Sequence, residues 1–445
     1  MAFNFRGGLH IPGRKSAMMK KAIEEMDAPR EVVLPLLMHK GAMCSPIVNM
    51  GDRVLLGQKI GESTDPMSAP VFASVSGTVK AIEPRLSPSG REILSVVIEN
   101  DFKDEAAELP EVLDRFRTMT VDELALIARE AGIVGLGGSA YPLSEKLKAS
   151  EGKVDTLIIN GAECEPYASA DSRVMIENTE DVYEGAIAIS KALGIKKVWI
   201  AVSSDKAGAI GELRRYLAKK PGIELVIVHT KYPQGSEKQI IESVARREVP
   251  PASDGAEAGV LVINASTSAA LAKAVSEGAP LVSRVVTVAG NAVANPKNLL
   301  VRIGTPIKDL FAACGGFLEH PDKIISGGPM MGLSQASLEV PVIKGTNAVI
   351  ALYGDEVPAK KETDCIHCGK CVNVCPMKLM PLYIYRAYRT EKLSECEEYN
   401  VCDCNECGCC AYVCPARISL VSAFRTVKEK LSQKAENTED ITNED

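Results

Sequence analysis

Long apolar runs, surplus positive charge and widely spread cysteine are all missing from this 445-residue chain. No run reaches the ~18 uncharged apolar residues that a membrane-spanning helix requires. The longest uncharged runs, 258–272 and 324–338, are broken by Asn, Ser, Thr, Gly or Pro. Residues 1–13 hold Arg6, three glycines and a proline, so no signal-peptide core is read there, and the protein is expected in the cytoplasm or on a membrane through partners. Lys plus Arg number 51 against 58 Asp plus Glu, a net charge of −7, and a chain of that sign is a poor fit to nucleic acid, whose phosphates want a basic surface. Only Cys44, Cys164 and Cys314 lie outside residues 365–414, which hold the other 11 of 14 cysteines. A disulfide framework would spread along a secreted domain. This distribution is that of a metal domain appended to a cysteine-poor enzyme.

The length predicts about three domains, each able to bury a core. Residues 1–115 read as β-rich: Gly51-Asp52-Arg53-Val54-Leu55-Leu56-Gly57-Gln58 is a turn into a short strand, and Ala69-Pro70-Val71 and Ser76-Gly77-Thr78-Val79 supply more, bounded by Gly and Pro. The spacing resembles the β-sandwich of lipoyl and biotinyl carriers. No lysine lies between Lys59 and Lys80 for the carrier modification, so a docking or packing module is expected.

From 116 to 275 helix and strand alternate. Residues 121–131 have helical apolar spacing, Thr156-Leu157-Ile158-Ile159 is a buried-strand run, 181–193 is a helix ended by Gly194, 197–202 a strand, and 208–219 then 224–229 repeat the pattern. That alternation implies a doubly wound α/β domain on a mostly parallel sheet. Residues 276–355 read as a small β-grasp-like insert, with two β runs around Asn295-Pro296-Lys297-Asn298. Residues 356–430 hold the cysteine domain, and the polar, acidic tail 431–445 is expected to be disordered.

Within the cysteine domain one pattern occurs twice: Cys365-x2-Cys368-x2-Cys371-x3-Cys375-Pro376 and Cys404-x2-Cys407-x2-Cys410-x3-Cys414-Pro415. Zinc sites use two separated pairs instead. Runs of this kind wrap 4Fe-4S clusters, and in paired sites the fourth cysteine of each run binds the other cluster. One cluster is therefore expected on Cys365, Cys368, Cys371 and Cys414, and the second on Cys404, Cys407, Cys410 and Cys375. Cys409 is out of phase with this rhythm, and His367 reads as a spacer. A helical stretch near 383–392 in the linker predicts a module more helical than compact bacterial ferredoxins.

Two loops suit a nucleotide. Gly135-Leu136-Gly137-Gly138-Ser139-Ala140-Tyr141-Pro142, with Lys146 beyond it, offers backbone amides and a cation to a phosphate; a bare glycine turn is the alternative. Asn160-Gly161-Ala162-Glu163-Cys164-Glu165-Pro166 follows a predicted parallel strand, where open α/β sheets bind ligands, and its carboxylates suit ribose hydroxyls or ring nitrogens. A solvated acidic turn is the alternative there. Pro233-Gln234-Gly235-Ser236-Glu237-Lys238 is a third candidate loop.

Taken together, the chain resembles the C subunit of the Rnf ion-translocating electron-transport complex. The motifs that carry this are Phe5-Arg6-Gly7-Gly8-Leu9-His10, the 51–58 turn, the 135–138 glycines, Glu163-Cys164-Glu165-Pro166-Tyr167 within 158–171, Thr230-Lys231-Tyr232-Pro233, Gly327-Gly328-Pro329-Met330-Met331-Gly332 and both cysteine runs. The middle also looks like the NADH-oxidising flavoprotein subunit of respiratory complex I. The resemblance implies a lipoyl-like N-terminal β-sandwich, a flavin/NADH domain, an SLBB-type β-grasp and a helical ferredoxin domain. It implies FMN, NAD(H) and two 4Fe-4S clusters as cofactors, and membrane subunits of the complex as partners, with ferredoxin reached through them on the cytoplasmic side of the membrane. By the same resemblance Gly135, Gly137, Gly138 and Lys146 hold the FMN phosphate. Asn160, Glu163, Cys164, Asn264 and Thr267 line the flavin, and Tyr141, Glu165 and Glu237 meet the nicotinamide nucleotide. Ala140 stands where the family carries glycine, so its methyl group is expected to crowd the loop or forbid a positive φ. The family's Asn-Val-Gly-Thr reads Asn264-Ala265-Ser266-Thr267. A soluble NADH-dependent cobalamin reductase of a microcompartment, or an electron relay without a working nucleotide site, would share this architecture.

Overall fold

The computed structural model describes residues 4–110, 118–357 and 361–442. The chain starts with strand β1 (Ile23–Glu25), then β2 (Glu31–Pro35), β3 (Ser45–Pro46), β4 (Arg53–Val54), β5 (Lys59–Glu62), β6 (Val71–Phe72), β7 (Gly77–Leu86) and β8 (Glu92–Asn100). β2-β8-β7-β4 form one antiparallel sheet and β3-β5-β6 a second. Their shared core includes Val32, Leu34, Ile60, Val71, Val79 and Ile98. The sandwich begins only at Glu31. β1 leaves it and pairs in parallel with a strand more than 270 residues away, Ile23 against Asn298. Residues 4–25 thus precede the sandwich strands themselves. A three-residue strand carries too little sequence pattern to announce a distant partner.

The α/β domain holds helices α1 (Val121–Glu130) and α2 (Leu143–Ser150), then β9 (Thr156–Gly161), α3 (Ala170–Glu177), α4 (Thr179–Ala192), β10 (Lys197–Ser203), α5 (Ala207–Leu217), β11 (Glu224–Val228), α6 (Glu237–Ala245), β12 (Val260–Asn264) and α7 (Ala265–Glu277). Thr120 and Glu123 cap α1 reciprocally, so the helix starts where its apolar face begins. All four strands are parallel, in the order β11-β10-β9-β12. Leu157 and Ile159 of β9 face the layer of α1, α4 and α7, while Ile158 faces α6. Burial on both faces is why these strands read as continuous apolar runs. The order reverses between β9 and β12, which opens a crevice at their carboxyl ends. The expected boundary at 115/116 lies within 111–117, outside the described residues.

Strands β13 (Ser283–Ala289) and β14 (Lys297–Arg302), helix α8 (Ile307–Ala313), and β15 (Lys323–Ser326), β16 (Leu333–Ser334) and β17 (Ala348–Leu352) make the third unit. Its sheet runs β1-β14-β13-β17-β15-β16 with β13 and β17 parallel, the β-grasp arrangement. Lys297 and Asn298 belong to β14 itself, not to the turn before it.

The cysteine domain contains α9 (Lys370–Asn373), α10 (Pro381–Arg389), α11 (Leu393–Glu398), α12 (Cys409–Tyr412) and α13 (Leu420–Thr442). Pro381 at the first helical position starts α10. The expected linker helix is therefore two helices. The tail from 431, expected to be disordered, continues α13 as far as Thr442. Its apolar period ends, but Lys, Gln, Ala and Glu are good helix formers and extend a helix already nucleated by Leu420, Phe424 and Val427 in the core.

Candidate functional site

Asn160 and Asn264 sit side by side at the ends of β9 and β12, in register across the switch point. The Asn160 amide donates to the Gly235 carbonyl at 2.8 Å, so it ties the β9 loop to the loop after β11. Asn264 accepts from Thr267 N–H at 3.2 Å, capping α7, and donates to the Asp171 carboxylate at 2.6 Å. Ser266 donates to the other Asp171 oxygen at 2.5 Å. The serine that replaces a family glycine thus holds the same buried carboxylate as Asn264.

Over this crevice folds the glycine loop. Gly135 N–H donates to the Tyr141 carbonyl and Ala140 N–H to the Gly135 carbonyl, closing the turn. A Cβ on Gly137 would press within 3.0 Å of the Asn264 amide nitrogen, so glycine is what lets the loop lie on the strand end. Thr267 anchors it by accepting from Leu136 N–H at 2.8 Å. Among the described residues no group of the chain accepts from the Gly137 and Gly138 amides. Free amides beside a crevice fit the phosphate end of a flavin nucleotide. Ala140 takes φ +51°, so the methyl group neither forbids the positive φ nor changes the turn; the loop holds it at some strain. Lys146 reaches Glu237 at 3.1 Å, which brings together a residue expected at the FMN phosphate and one expected at the nucleotide ribose.

The acidic loop is more occupied than the sequence implies. The Glu163 carboxylate accepts from Asp171 N–H at 2.7 Å and Ser172 N–H at 3.2 Å, so it caps α3. Burial and the neighbouring Asp171 raise its pKa to about 7, while Lys15 and Lys206 pull the other way. The Cys164 sulfur accepts from Gly235 N–H at 3.3 Å, and burial raises its pKa to about 11, so it is a thiol. Glu165, expected at the ribose, is buried and already engaged by backbone amides. Its two oxygens accept from Met330 and Met331 N–H at 3.0 Å each, and the Tyr232 hydroxyl oxygen lies 3.3 Å from one of them. The Gly327–Gly332 segment of the β-grasp unit supplies those amides, a partner that local sequence could not reveal. Tyr141, expected at the nicotinamide, is partly exposed beside Glu145 and Asp254, and burial raises its pKa.

Two buried lysines that sequence reasoning missed grip this loop from behind. Lys15 donates to the carbonyls of Glu163 and Glu165 at 2.5 and 2.9 Å, and Lys206 to that of Glu163 at 3.2 Å. Lys206 follows the C-terminal end of β10, where a charged residue was a readable signal; Lys15 gave none. Arg284, also buried, donates to the Leu136 carbonyl at 3.0 Å and so props the glycine loop.

The cysteines divide into two groups. Cys365, Cys368, Cys371 and Cys414 line one pocket open to solvent, together with Ile366, Leu382 and Tyr385. Cys365 and Cys368 are exposed, and His367 lines the same pocket at the surface. Cys404, Cys407, Cys410 and Cys375 lie within electrostatic reach of one another, and Cys407 and Cys410 are buried. Leu379 N–H donates to the Cys375 sulfur and Glu406 N–H to that of Cys404, each at 3.4 Å. Amides aimed at sulfur suit thiolates on an iron–sulfur cluster. Cys409 is buried beside Cys407 and Tyr232, and Cys396 fills the core of the domain. Tyr232, 1% exposed, donates to the Cys407 carbonyl at 2.7 Å. It therefore stands between the acidic loop and the second group, packed with Cys164, Leu9 and Met330.

Four family models match in chain order: the RnfC barrel sandwich hybrid domain over residues 3–103, the Nuo51 FMN-binding domain over 128–273, the SLBB domain over 285–334 and a 4Fe-4S dicluster domain over 358–415. Among curated relatives, the C subunit of the Na(+)-translocating ferredoxin:NAD(+) oxidoreductase complex of Acetobacterium woodii is 42% identical over 96% of this chain and 97% of its own length. The proton-translocating counterpart of Clostridium ljungdahlii is 41% identical over 90% of the chain and 88% of its own. The C subunit of the ion-translocating oxidoreductase complex of Rhodobacter capsulatus is 40% identical over 97% and 84%. A solved NAD+-reducing [NiFe]-hydrogenase in the H2-reduced state shares the fold, with a TM-score of 0.50 at 17% identity over 74% of this chain and 68% of that one.

Proposed function

The chain belongs to the RnfC family, the C subunits of ion-translocating ferredoxin:NAD(+) oxidoreductase complexes, and on that premise we propose how its residues divide the work. It is an electron-transfer subunit with an FMN-binding domain and a 4Fe-4S dicluster domain. When bound, FMN exchanges electrons pairwise with NAD(H) and singly with iron–sulfur clusters. The amides of Gly137 and Gly138, with Lys146 nearby, hold the phosphate end. Gly135 closes that loop, and Asn160, Cys164 and Asn264 bound the crevice. Glu163 and Thr267 act one step back, by capping α3 and by holding the loop through Leu136. Tyr141 and Glu237, at the mouth, meet the nicotinamide nucleotide. Glu165 is reassigned: its oxygens tie the β-grasp unit to the crevice wall rather than reach ribose. Cys404, Cys407, Cys410 and Cys375 hold the cluster nearer the flavin. Cys365, Cys368, Cys371 and Cys414 would hold the outer one, whose one-electron chemistry would lie at the surface, open to the other subunits and, through them, ferredoxin.

The observation that carries this order is the Tyr232 hydroxyl, which links the acidic loop to the Cys407 carbonyl at 2.7 Å. No described helix is long and apolar enough to cross a membrane, so attachment through partner subunits on the cytoplasmic side is the reading that fits. The relatives' names give no support to a soluble cobalamin-reducing role. Anaerobic titration of the purified chain with NADH is the test. Bound flavin that bleaches, with about eight irons per chain, is expected. Absence of flavin from folded protein, or four irons or fewer, would overturn the assignment.

A further inference from the structure

Residues 5–15 precede the first strand of the sandwich and touch both the α/β domain and the ferredoxin domain. Gly8 N–H donates to the Val374 carbonyl of the ferredoxin domain at 2.8 Å. Leu9 and Tyr232 exchange two backbone bonds of 2.8 Å each, a one-residue antiparallel bridge to the loop after β11. Lys231 donates to the Phe5 carbonyl at 2.9 Å and sits 4.5 Å over the buried Phe5 ring. Further on, the Gly13 carbonyl accepts from Tyr167 N–H at 2.7 Å, Arg14 pairs with Glu356, and Lys15 holds the acidic loop. Leu9 and Ile11 pack on the Tyr232, Cys407 and Cys409 cluster.

Fit in this segment is close at two points. Gly7 and Gly8 take φ +73° and +72°. A Cβ on Gly7 would come within 2.7 Å of the carbonyl oxygen of Cys375, a residue assigned to the inner cluster, and one on Gly8 would collide with the Tyr232 carbonyl. Gly13 is different: an added Cβ meets only the Lys15 side chain at 3.6 Å.

We propose that residues 5–15 form a positioning strap that clamps the Cys375/Cys407 side of the ferredoxin domain onto the flavin crevice, and so governs electron passage between them without taking part in nucleotide oxidation. The inference rests on the assignment of flavin and inner cluster above. Each end of the strap is bound to a different side of that junction, the ferredoxin domain at Gly7 and Gly8 and the acidic loop at Lys15. Loosening it would leave the crevice built but its distance to Cys375 free to grow.

The test compares Gly7→Ala, Gly8→Ala and Phe5→Ala with Gly13→Ala in the anaerobically purified full chain. Hydrogen exchange at the Leu9 and Tyr232 amides is the first readout. The first three variants should exchange at least about tenfold faster than wild type, equivalent to about 1.4 kcal/mol, and Gly13→Ala should not. Stopped-flow absorbance is the second. Flavin bleaching by NADH should keep its rate, while the following cluster bleaching slows by about ten- to a hundredfold, as ångström misplacement does where geometry controls rate. Phe5→Ala opens space instead of filling it, so it reads the same contact if a glycine variant unfolds. Exchange and cluster bleaching equal to those of Gly13→Ala in all three variants would overturn the strap. Wild-type chain whose flavin never bleaches would instead overturn the functional assignment, with exchange still deciding the clamp.

Discussion

Lys344 offers a test of the structure that needs no cofactor. Its side chain is 0% exposed, at the meeting point of the N-terminal sandwich, the α/β domain and the β-grasp unit. The amine donates to the carbonyls of Pro70 and Gly132 at 2.6 and 2.7 Å. His39 and Cys44 lie within electrostatic reach of it, Arg284 donates to its backbone carbonyl, and no carboxylate pairs with the amine among the described residues. Burial lowers its pKa from 10.5 to about 7. At about 1.4 kcal/mol per pH unit, holding the fully charged form costs the fold about 5 kcal/mol. Between pH 7 and 10.5 the unfolded chain binds this proton and the folded chain does not, so stability rises with pH across that window. It is lost as pH falls through about 7. Lys344→Met removes the titration but strips both carbonyls of their donor, about 1–3 kcal/mol each. Lys15, Glu163 and Glu165 titrate in wild type and variant alike and cancel in the difference. From pH 6 to pH 9 the wild type should gain about 3 kcal/mol over the variant, or roughly 3 °C in Tm. Differential scanning calorimetry at pH 6, 7.5 and 9 reads this directly. Wild-type and variant curves that stay parallel across the range would refute a buried, unpaired ammonium.

Three other outcomes are expected. Tyr232→Phe strips the Cys407 carbonyl of its donor, which should cost about 1–3 kcal/mol and lower Tm; an unchanged Tm would mean that the hydroxyl does not join the two units. Serine at Cys375 and at Cys404 should erase the same paramagnetic signal and leave about four irons, while serine at Cys365 and at Cys414 erases the other. If Cys375→Ser instead removes the signal lost in Cys365→Ser, the crossed assignment is wrong. Ala140→Gly relieves a left-handed alanine worth about 1 kcal/mol, so Tm should rise; a drop would place the alanine methyl in useful packing.

Motifs whose meaning is local were legible in advance. The two Cys-x2-Cys-x2-Cys-x3-Cys-Pro runs, the apolar β9 run and the loop after it need only neighbouring residues to be recognised. The crevice followed, since parallel strands bury both faces and ligands gather where their order reverses. The partners of Glu165 were illegible for the opposite reason. A carboxylate three residues from a strand end reads as a ligand until the distant amides of Met330 and Met331 claim it. Ala140 was misjudged because a positive φ strains alanine by an amount that a loop closed at both ends can hold.

The order of residues alone determined the cofactor-binding motifs, the alternation of helix and strand, and the kinship that spans nearly the whole chain, because each is written in spacings of a few residues. Only tertiary structure decided what those motifs face. It buried one cysteine group against the flavin crevice and left the other at the surface. It also drew residues 5–15 across the junction and sent Ile23 to Asn298. Contacts between residues hundreds of positions apart leave no period or spacing to read.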